Sequence, residues 1–95
     1  MNNNDNILFQ MVIEEIFTIT ELGVVVCGKG NRDTLRLYYP VKIIGKNGIK
    51  NSIIRGIEMT RPPIPNRVGI LLKDIKKSEI EIGDILQVIN KDDQS

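Results

Sequence analysis

The 95-residue sequence has no histidine and no tryptophan, a single cysteine, and only two phenylalanines and two tyrosines. One cysteine excludes an intramolecular disulfide, and the lack of histidine excludes ordinary zinc sites and histidine-based catalysis. Cys27 lies in an apolar run at residues 24–27, so we expect a buried structural thiol. No pair of carboxylates is recognisably placed for acid–base chemistry. The sequence therefore predicts no enzyme, no metal site and no cofactor.

Long apolar segments are also missing. No run is long enough to cross a bilayer, and the first residues have neither the basic start nor the apolar stretch of a signal peptide. The formal net charge is +1, which argues against a protein that mainly coats an anionic membrane or wraps duplex DNA. We expect a cytoplasmic protein without a membrane partner. Its polar ends predict tails at residues 1–6 and 91–95, around one domain at residues 7–90.

One segment nearly matches a phosphate-binding loop. Residues 23–30 read GVVVCGKG, which fits the pattern G-x-x-x-x-G-K-[ST] except at its last position. Such a loop needs backbone amides curled around phosphate, a hydroxyl group for magnesium and a helix behind it. Here the middle residues favour a strand, Gly30 has no hydroxyl group, and the residues that follow indicate a turn. We predict that this chain alone binds neither GTP nor GDP.

Isoleucine and valine dominate the apolar residues, and both favour strands because they are branched at Cβ. They occur in short runs separated by turn residues, which is typical of an all-β barrel or sandwich. The first run, residues 8–20, has two glutamates at its centre. A helix is an alternative there, but the β-branched residues favour a strand with a bulge.

Later segments give clearer indications. Lys46-Asn47-Gly48 predicts a tight hairpin turn. The prolines at residues 62–65 predict a stiff loop, because proline fixes the backbone and removes a donor. Residues 68–72 predict a buried strand, residues 75–80 a short helical turn, and residues 85–89 the closing strand.

The order of these segments resembles the second domain of elongation factor Tu over residues 9–88. The similar strings are IEEIFTI (13–19), GVVVCG (23–28), VKIIG (41–45), IRGIEM (54–59), VGILLKDIKK (68–77) and EIEIGDIL (79–86). The resemblance implies an all-β fold, namely a small closed Greek-key-like barrel of about six strands in which every strand edge is paired. In the family this barrel follows a GTPase domain. Because the 95 residues match only the barrel, we expect a stand-alone barrel here.

In elongation factor Tu the matching domain helps to hold the aminoacylated CCA end of tRNA, and in related factors it also touches small-subunit ribosomal RNA. By resemblance, Glu58 and Arg61 match positions near the terminal adenosine. Arg67 replaces a small polar residue beside the aminoacyl pocket, and we predict that it adds a cation favouring phosphate. As an alternative, Glu58 and Arg61 form an ordinary exposed ion pair.

Four apolar residues match or neighbour the wall of the same pocket in the family. They are Phe17, Ile19, Val68 and Leu71. Because any barrel buries residues at such positions, packing in the core is the alternative reading of all four.

Two functions stay open at this point. The first is an RNA-contacting accessory protein of the translation machinery, whose partners are tRNA, ribosomal RNA or another translation-factor chain, and whose lysines and arginines contact phosphates. The second is a protein-interaction or self-association module that uses Tyr38-Tyr39-Pro40 and the prolines at residues 62–65. Rigid side chains of this kind provide contact area at low entropic cost.

Overall fold

The computed structural model describes residues 7–58 and 64–89, and in these residues the chain is all-β, as predicted, with no α-helix. Two short 3-10 turns, Arg32–Thr34 and Lys77–Glu79, are the only helical pieces of the described chain. The strands are β1 (Ile7–Val12), β2 (Glu15–Ile19), β3 (Gly23–Lys29), β4 (Pro40–Gly45), β5 (Gly48–Glu58), β6 (Arg67–Leu72) and β7 (Ile85–Ile89).

All seven strands belong to one antiparallel sheet with the order β1-β7-β4-β5-β6-β3-β2. The part β4-β5-β6-β3 is a Greek-key arrangement, because β3 lies beside β6 and not beside its successor β4. The count of about six strands was wrong by one, since the first predicted strand is two. No ladder joins β1 to β2 within residues 7–58 and 64–89, so the sheet is not closed by hydrogen bonds and a barrel is not shown.

The first run changes its pairing partner at two consecutive residues. The amide of Ile13 donates to the carbonyl of Asp84, just before β7, at 2.9 Å. The amide of Glu14 donates to the carbonyl of Cys27 in β3 at 2.8 Å. The prediction of one strand with a bulge was therefore wrong, because two strands, β1 and β2, meet here at a corner. Because β1 and β2 follow each other along the chain but stand at opposite ends of the sheet order, this corner requires the sheet to be strongly curved.

The long strand β5 supplies much of that curl. Its first half pairs with β4, and its second half pairs with β6. Between the halves the register shifts at Ile54 and Gly56, which marks a bulge at Arg55. A bulge bends the strand and increases its twist, so one strand can serve both halves of the sheet.

β1 also passes close to β3, the strand next to the other end of the sheet order. A Cβ atom at Gly28 would lie 2.3 Å from the carbonyl oxygen of Val12 and 3.0 Å from the sulfur of Met11. At Gly30 it would lie 2.5 Å from the ring of Phe9. Backbone and side-chain atoms of β1 therefore pack against Gly28 in β3 and against Gly30 just after it, where no side chain intervenes. We call this contact the seam.

The main core lies inside the curled sheet and is entirely apolar in the part of the chain that the structure describes. Its buried members are Phe9, Met11, Ile13, Val24, Val26, Leu35, Val41, Ile43, Ile54, Val68, Ile70, Leu72, Ile75, Ile80, Leu86 and Val88. The predicted buried strand, short helical turn and closing strand correspond to β6, Lys77–Glu79 and β7, and all three are confirmed.

The predicted hairpin between β4 and β5 is confirmed, with Gly45 paired to Gly48. Lys46 and Asn47 form the loop, and of the three turn residues only Gly48 has a positive φ, +97°. A glycine at that position follows a tight turn without steric cost.

Candidate functional site

A row of side chains crosses β2, β3 and β6 on the outside of the sheet. Phe17 is the cross-strand partner of Val25, and Val25 is the partner of Leu71. Their neighbours along each strand point to the main core, because successive residues of a strand alternate between the two faces. Val25, Cys27 and Leu71 form a small second cluster against which Ile19 packs. We call these four residues together with Phe17 the outer patch.

The outer patch has a buried floor and an exposed aromatic ring. Val25, Cys27 and Leu71 are buried by their neighbours, whereas Phe17 keeps 43% of its surface exposed. The alternative interpretation from the sequence, a buried packing residue, therefore applies to Leu71 and not to Phe17. Cys27 is a free, buried cysteine, as predicted.

Two glycines keep the patch open beside Glu58. A Cβ atom at Gly69 would lie 3.2 Å from Cys27 Sγ and 3.3 Å from Glu58 Cβ. A Cβ atom at Gly56 would lie 3.4 Å from Leu71 Cδ2 and 3.8 Å from Glu58 Oε2. The carboxylate of Glu58 thus stands over Gly56 at the edge of the patch. It forms no hydrogen bond or ion pair with any residue in the described ranges.

Arg67 closes another edge of the patch, and it is already paired. Its Nη1 donates to Glu14 Oε1 and its Nη2 donates to Glu15 Oε1, both at 2.7 Å. The Arg67 side chain is only 20% exposed, and its guanidinium reaches from β6 across β3 to the corner between β1 and β2. These hydrogen bonds to Glu15 and Glu14 raise the pKa of Arg67 above the ordinary guanidinium range. The predicted cation is present, but two carboxylates offset its charge.

Glu14 and Glu15 were not among the predicted site residues. The signal that could have found them is the pair of glutamates in an otherwise apolar run. That signal names no partner, because Arg67 lies more than fifty positions away in the sequence and meets the pair only through the fold.

The Cys27 thiol lies between these charged groups. Burial raises its pKa most, and the negative charge of Glu15 raises it further, while Arg67 lowers it and Glu58 raises it. The net direction is upward, so the thiol is protonated at neutral pH. A protonated, buried thiol is neither a nucleophile nor a metal ligand.

The structure places the remaining predicted residues elsewhere. Val68 is 2% exposed and belongs to the main core, because it alternates with Arg67 and Gly69 along β6. Because this strand is a continuous apolar run, its sequence does not indicate which residues face outward. Arg61 lies outside the described residues, as do Pro62 and Pro63 of the predicted stiff loop.

Among the residues that the structure describes, the charges around the outer patch are mostly negative. The charged residues that the structure describes there are Glu14, Glu15, Glu58, Arg67 and Lys29, the last being the cross-strand partner of Arg67. Three carboxylates and two cations leave one net negative charge. The patch therefore combines an apolar floor and an aromatic ring with carboxylate acceptors, which suits a flat group carrying hydrogen-bond donors.

An open groove of about 570 Å³ continues from Ile19 around the turn between β2 and β3. It contains two cations, Arg55 and Lys76, neither of which forms an ion pair with a described residue. Arg55 instead donates to the carbonyl of Leu22 at 2.9 Å. The carboxylates that line the same groove are those of Glu21, Asp74 and Glu79. Because both signs of charge are present, the groove has no clear preference for an anion.

No protein-family model matches the chain. Within residues 7–58 and 64–89, no group of three or more histidine, cysteine, aspartate or glutamate side chains is arranged to hold a metal ion. No helix of the described chain has the length and apolar character needed to cross a membrane.

Proposed function

We propose that this chain is a non-catalytic binding module that holds the end of an RNA chain on its outer patch, as its resemblance to the second domain of elongation factor Tu implies. The curled sheet would then be the closed barrel of that family, with the seam packed by side chains. The partners would be tRNA or ribosomal RNA, alone or with another translation-factor chain, in the cytoplasm. The observation that carries the proposal is the exposed Phe17 ring on the same face as the Glu58 carboxylate, which has no partner within residues 7–58 and 64–89.

Each part of the patch suits one part of a nucleoside. A base stacked on an aromatic ring contributes roughly 1–3 kcal/mol, and the ring of Phe17 is accessible for such stacking. The Glu58 carboxylate accepts hydrogen bonds, so it can bind ribose hydroxyls or a base amino group. Gly56 and Gly69 keep the floor between these groups free of side chains, which allows a flat group to approach.

The pairing of β3 supports the proposal that GTP is not the ligand. Residues 23–29, which cover most of the near-match to a phosphate loop, form a strand between β2 and β6. Their backbone amides belong to these ladders and are not curled into an anion cradle. The raised pKa of Cys27 supports the proposal that this thiol is not an activated nucleophile.

Binding of a short single-stranded RNA ending in CCA, measured by fluorescence anisotropy at low salt, tests the proposal. We expect Phe17→Ala to weaken binding about tenfold, since one stacked base is lost, and Glu58→Gln to weaken it by a smaller factor. Ile49→Ala is the matched control, because Ile49 is 56% exposed in the other half of the sheet and should not affect binding. No binding, or equal losses in Phe17→Ala and Ile49→Ala, would place the function elsewhere.

A protein-interaction or self-association module is the second candidate, and one observation favours it. Tyr38 is 67% exposed and is held at a positive φ of 71°, with its amide donating to the carbonyl of Ile54 at 2.7 Å. A large, exposed aromatic ring is typical of contact residues. Concentration-dependent sedimentation that Tyr38→Ser abolishes, in a protein that binds no RNA, would support this candidate over the first.

A further inference from the structure

We propose that the open edge of β2 binds an extended peptide segment of a partner protein, which adds a strand to the sheet inside the groove that continues from Ile19. The inference goes beyond the proposed function and does not rest on it, since the peptide takes the edge of β2 and no RNA is involved. It follows from main-chain groups of β2 that have no partner in the described chain, and from the groove beside them.

The direction of the hydrogen bonds in β3 determines which groups of β2 are open. Bonds in an antiparallel strand alternate between its two neighbours, residue by residue. The amide of Gly30 donates to the carbonyl of Asn66 at 2.8 Å, which continues the register between β3 and β6. The carbonyl of Cys27 accepts from the amide of Glu14 and therefore faces β2. Even-numbered residues of β3 thus bond to β6, and odd-numbered residues bond to β2.

The open main-chain groups of β2 belong to Ile16 and Thr18. The odd-numbered residues of β3 pair with Glu15, Phe17 and Ile19, so the main-chain groups of the two residues between them point away from β3. No residue within 7–58 and 64–89 donates to these two carbonyls or accepts from these two amides. β2 also contains neither lysine nor proline, the residues that commonly protect an edge strand. The edge therefore offers two donors and two acceptors to another extended chain.

The groove lies beside this edge. Thr18 and Ile19 line it from β2, and Ile75 and Glu79 line it from the connection between β6 and β7. The turn Lys77–Glu79 packs alongside β2, but it forms no hydrogen bond with β2 in the described chain. The groove volume of about 570 Å³ lies within the range of roughly 300–1,000 Å³ that holds drug-sized ligands, which suits a peptide of a few residues.

A second copy of the chain suits this place less well than a peptide. It could offer only β1 or β2, the end strands of its own sheet. Its β1 packs against β3 at the seam, and its β2 carries the turn Lys77–Glu79 alongside. A flexible peptide avoids both obstacles, because it brings no folded domain into the groove.

Phe17 determines which peptides bind best. Residues directly opposite each other in paired strands have their side chains on the same face. The peptide residue opposite Phe17 therefore lies beside a ring that is 43% exposed. Aromatic and β-branched side chains form favourable cross-strand pairs with such a ring. We expect the edge to select peptides with β-branched residues in an extended run.

Titration with the acetylated and amidated peptide KTVTVTK, with hydrogen exchange of the backbone amides measured by NMR, tests the proposal. Saturating peptide should slow exchange at the amides of Ile16 and Thr18 by about fivefold or more, because they gain acceptors. The amide of Phe17 is already paired with β3, so its exchange should slow less than either. The same peptide with its five central amides N-methylated keeps the side chains but loses the donors, and we expect it not to bind.

Two variants of one residue provide the matched comparison. Thr18→Pro removes an N–H that points away from β3, so no hydrogen bond of the sheet is lost with it. This variant should bind KTVTVTK about tenfold more weakly than the wild type. Thr18→Ala keeps the N–H, so its affinity should stay within about twofold of the wild type.

Several results would overturn the proposal. They are no binding of KTVTVTK at millimolar concentration, equal binding of the N-methylated peptide, equal affinities of Thr18→Pro and Thr18→Ala, or slowed exchange that spares Ile16 and Thr18. If Thr18→Pro lacks the circular dichroism of the wild type, the exchange pattern and the N-methylated peptide decide. Because no RNA is present in these experiments, a failure here leaves the proposed function standing.

Discussion

Replacing Gly28 with alanine should weaken the seam between β1 and β3. The new Cβ atom would lie 2.3 Å from the carbonyl oxygen of Val12, whereas real contacts of this kind are essentially never shorter than 3.0 Å. The strands would have to separate by at least the missing 0.7 Å. Because the obstructing atom belongs to the backbone, it cannot rotate away as a side chain could.

The expected cost follows from two opposing contributions. Overpacking of a well-packed contact typically costs about 1–3 kcal/mol. Gly→Ala also lowers the entropy of the unfolded chain, which returns about 0.4–1 kcal/mol when the native conformation is suitable for alanine. Since β1 is held on its other side by β7, it cannot move freely, and we expect the upper part of the range. A net loss of about 2 kcal/mol corresponds to a fall in Tm of roughly 8–16 °C for a domain of this size.

Urea unfolding followed by circular dichroism measures this loss, and Gly48→Ala is the comparison. No atom lies within 4 Å of a Cβ at Gly48, and its φ is +97°, so alanine there costs only backbone strain of roughly 1 kcal/mol. Gly28→Ala should therefore be clearly less stable than Gly48→Ala. If Gly28→Ala equals or exceeds the wild type in stability, β1 and β3 do not pack closely at the seam.

Two further predictions concern the residues at the outer patch. Arg67→Met keeps the aliphatic stem but removes both ion pairs. Because Glu15 is well exposed, the free energy of unfolding should fall by about 1 kcal/mol or less, and the difference should shrink in high salt. A difference unaffected by salt would contradict this. Because burial and Glu15 raise the pKa of Cys27, the unfolded chain loses this proton first as the pH rises, so the free energy of unfolding should fall above about pH 8.5. Cys27→Ala should remove that fall, and an equal fall in both proteins would count against it.

The local pattern of apolar and turn residues predicted those strands that can be recognised without knowing their pairing partners. The hairpin at Lys46-Asn47-Gly48, the buried strand β6 and the closing strand β7 all follow from β-branched runs bounded by turn residues. The corner at Ile13 and Glu14 could not be predicted in this way. Its residues favour a strand on both sides, and only the exchange of partners from the segment before β7 to β3 divides the run.

The candidate site was predictable to a similar degree. Phe17, Ile19, Leu71 and Glu58 were named from a resemblance, and the structure brings them to one face. Val68 was assigned to the same wall, but a strand that is apolar at nearly every position gives no indication of which residues face the core. The alternation along β6, set by its pairing with β3, decides the matter and turns Val68 inward.

The corner between β1 and β2 links the fold to the chemistry of the patch. Glu14 and Glu15 lie beside β3 because the chain changes its pairing partner at this point. Both carboxylates are therefore within reach of Arg67. Without the corner, Arg67 would be an unpaired cation at the edge of the patch, and the site would favour phosphate. With it, the charge of Arg67 is offset by two carboxylates, and Glu58 has no partner among the residues that the structure describes. The topology of the sheet, through the corner at Ile13 and Glu14, therefore determines that the charge of Arg67 is offset at the edge of the patch.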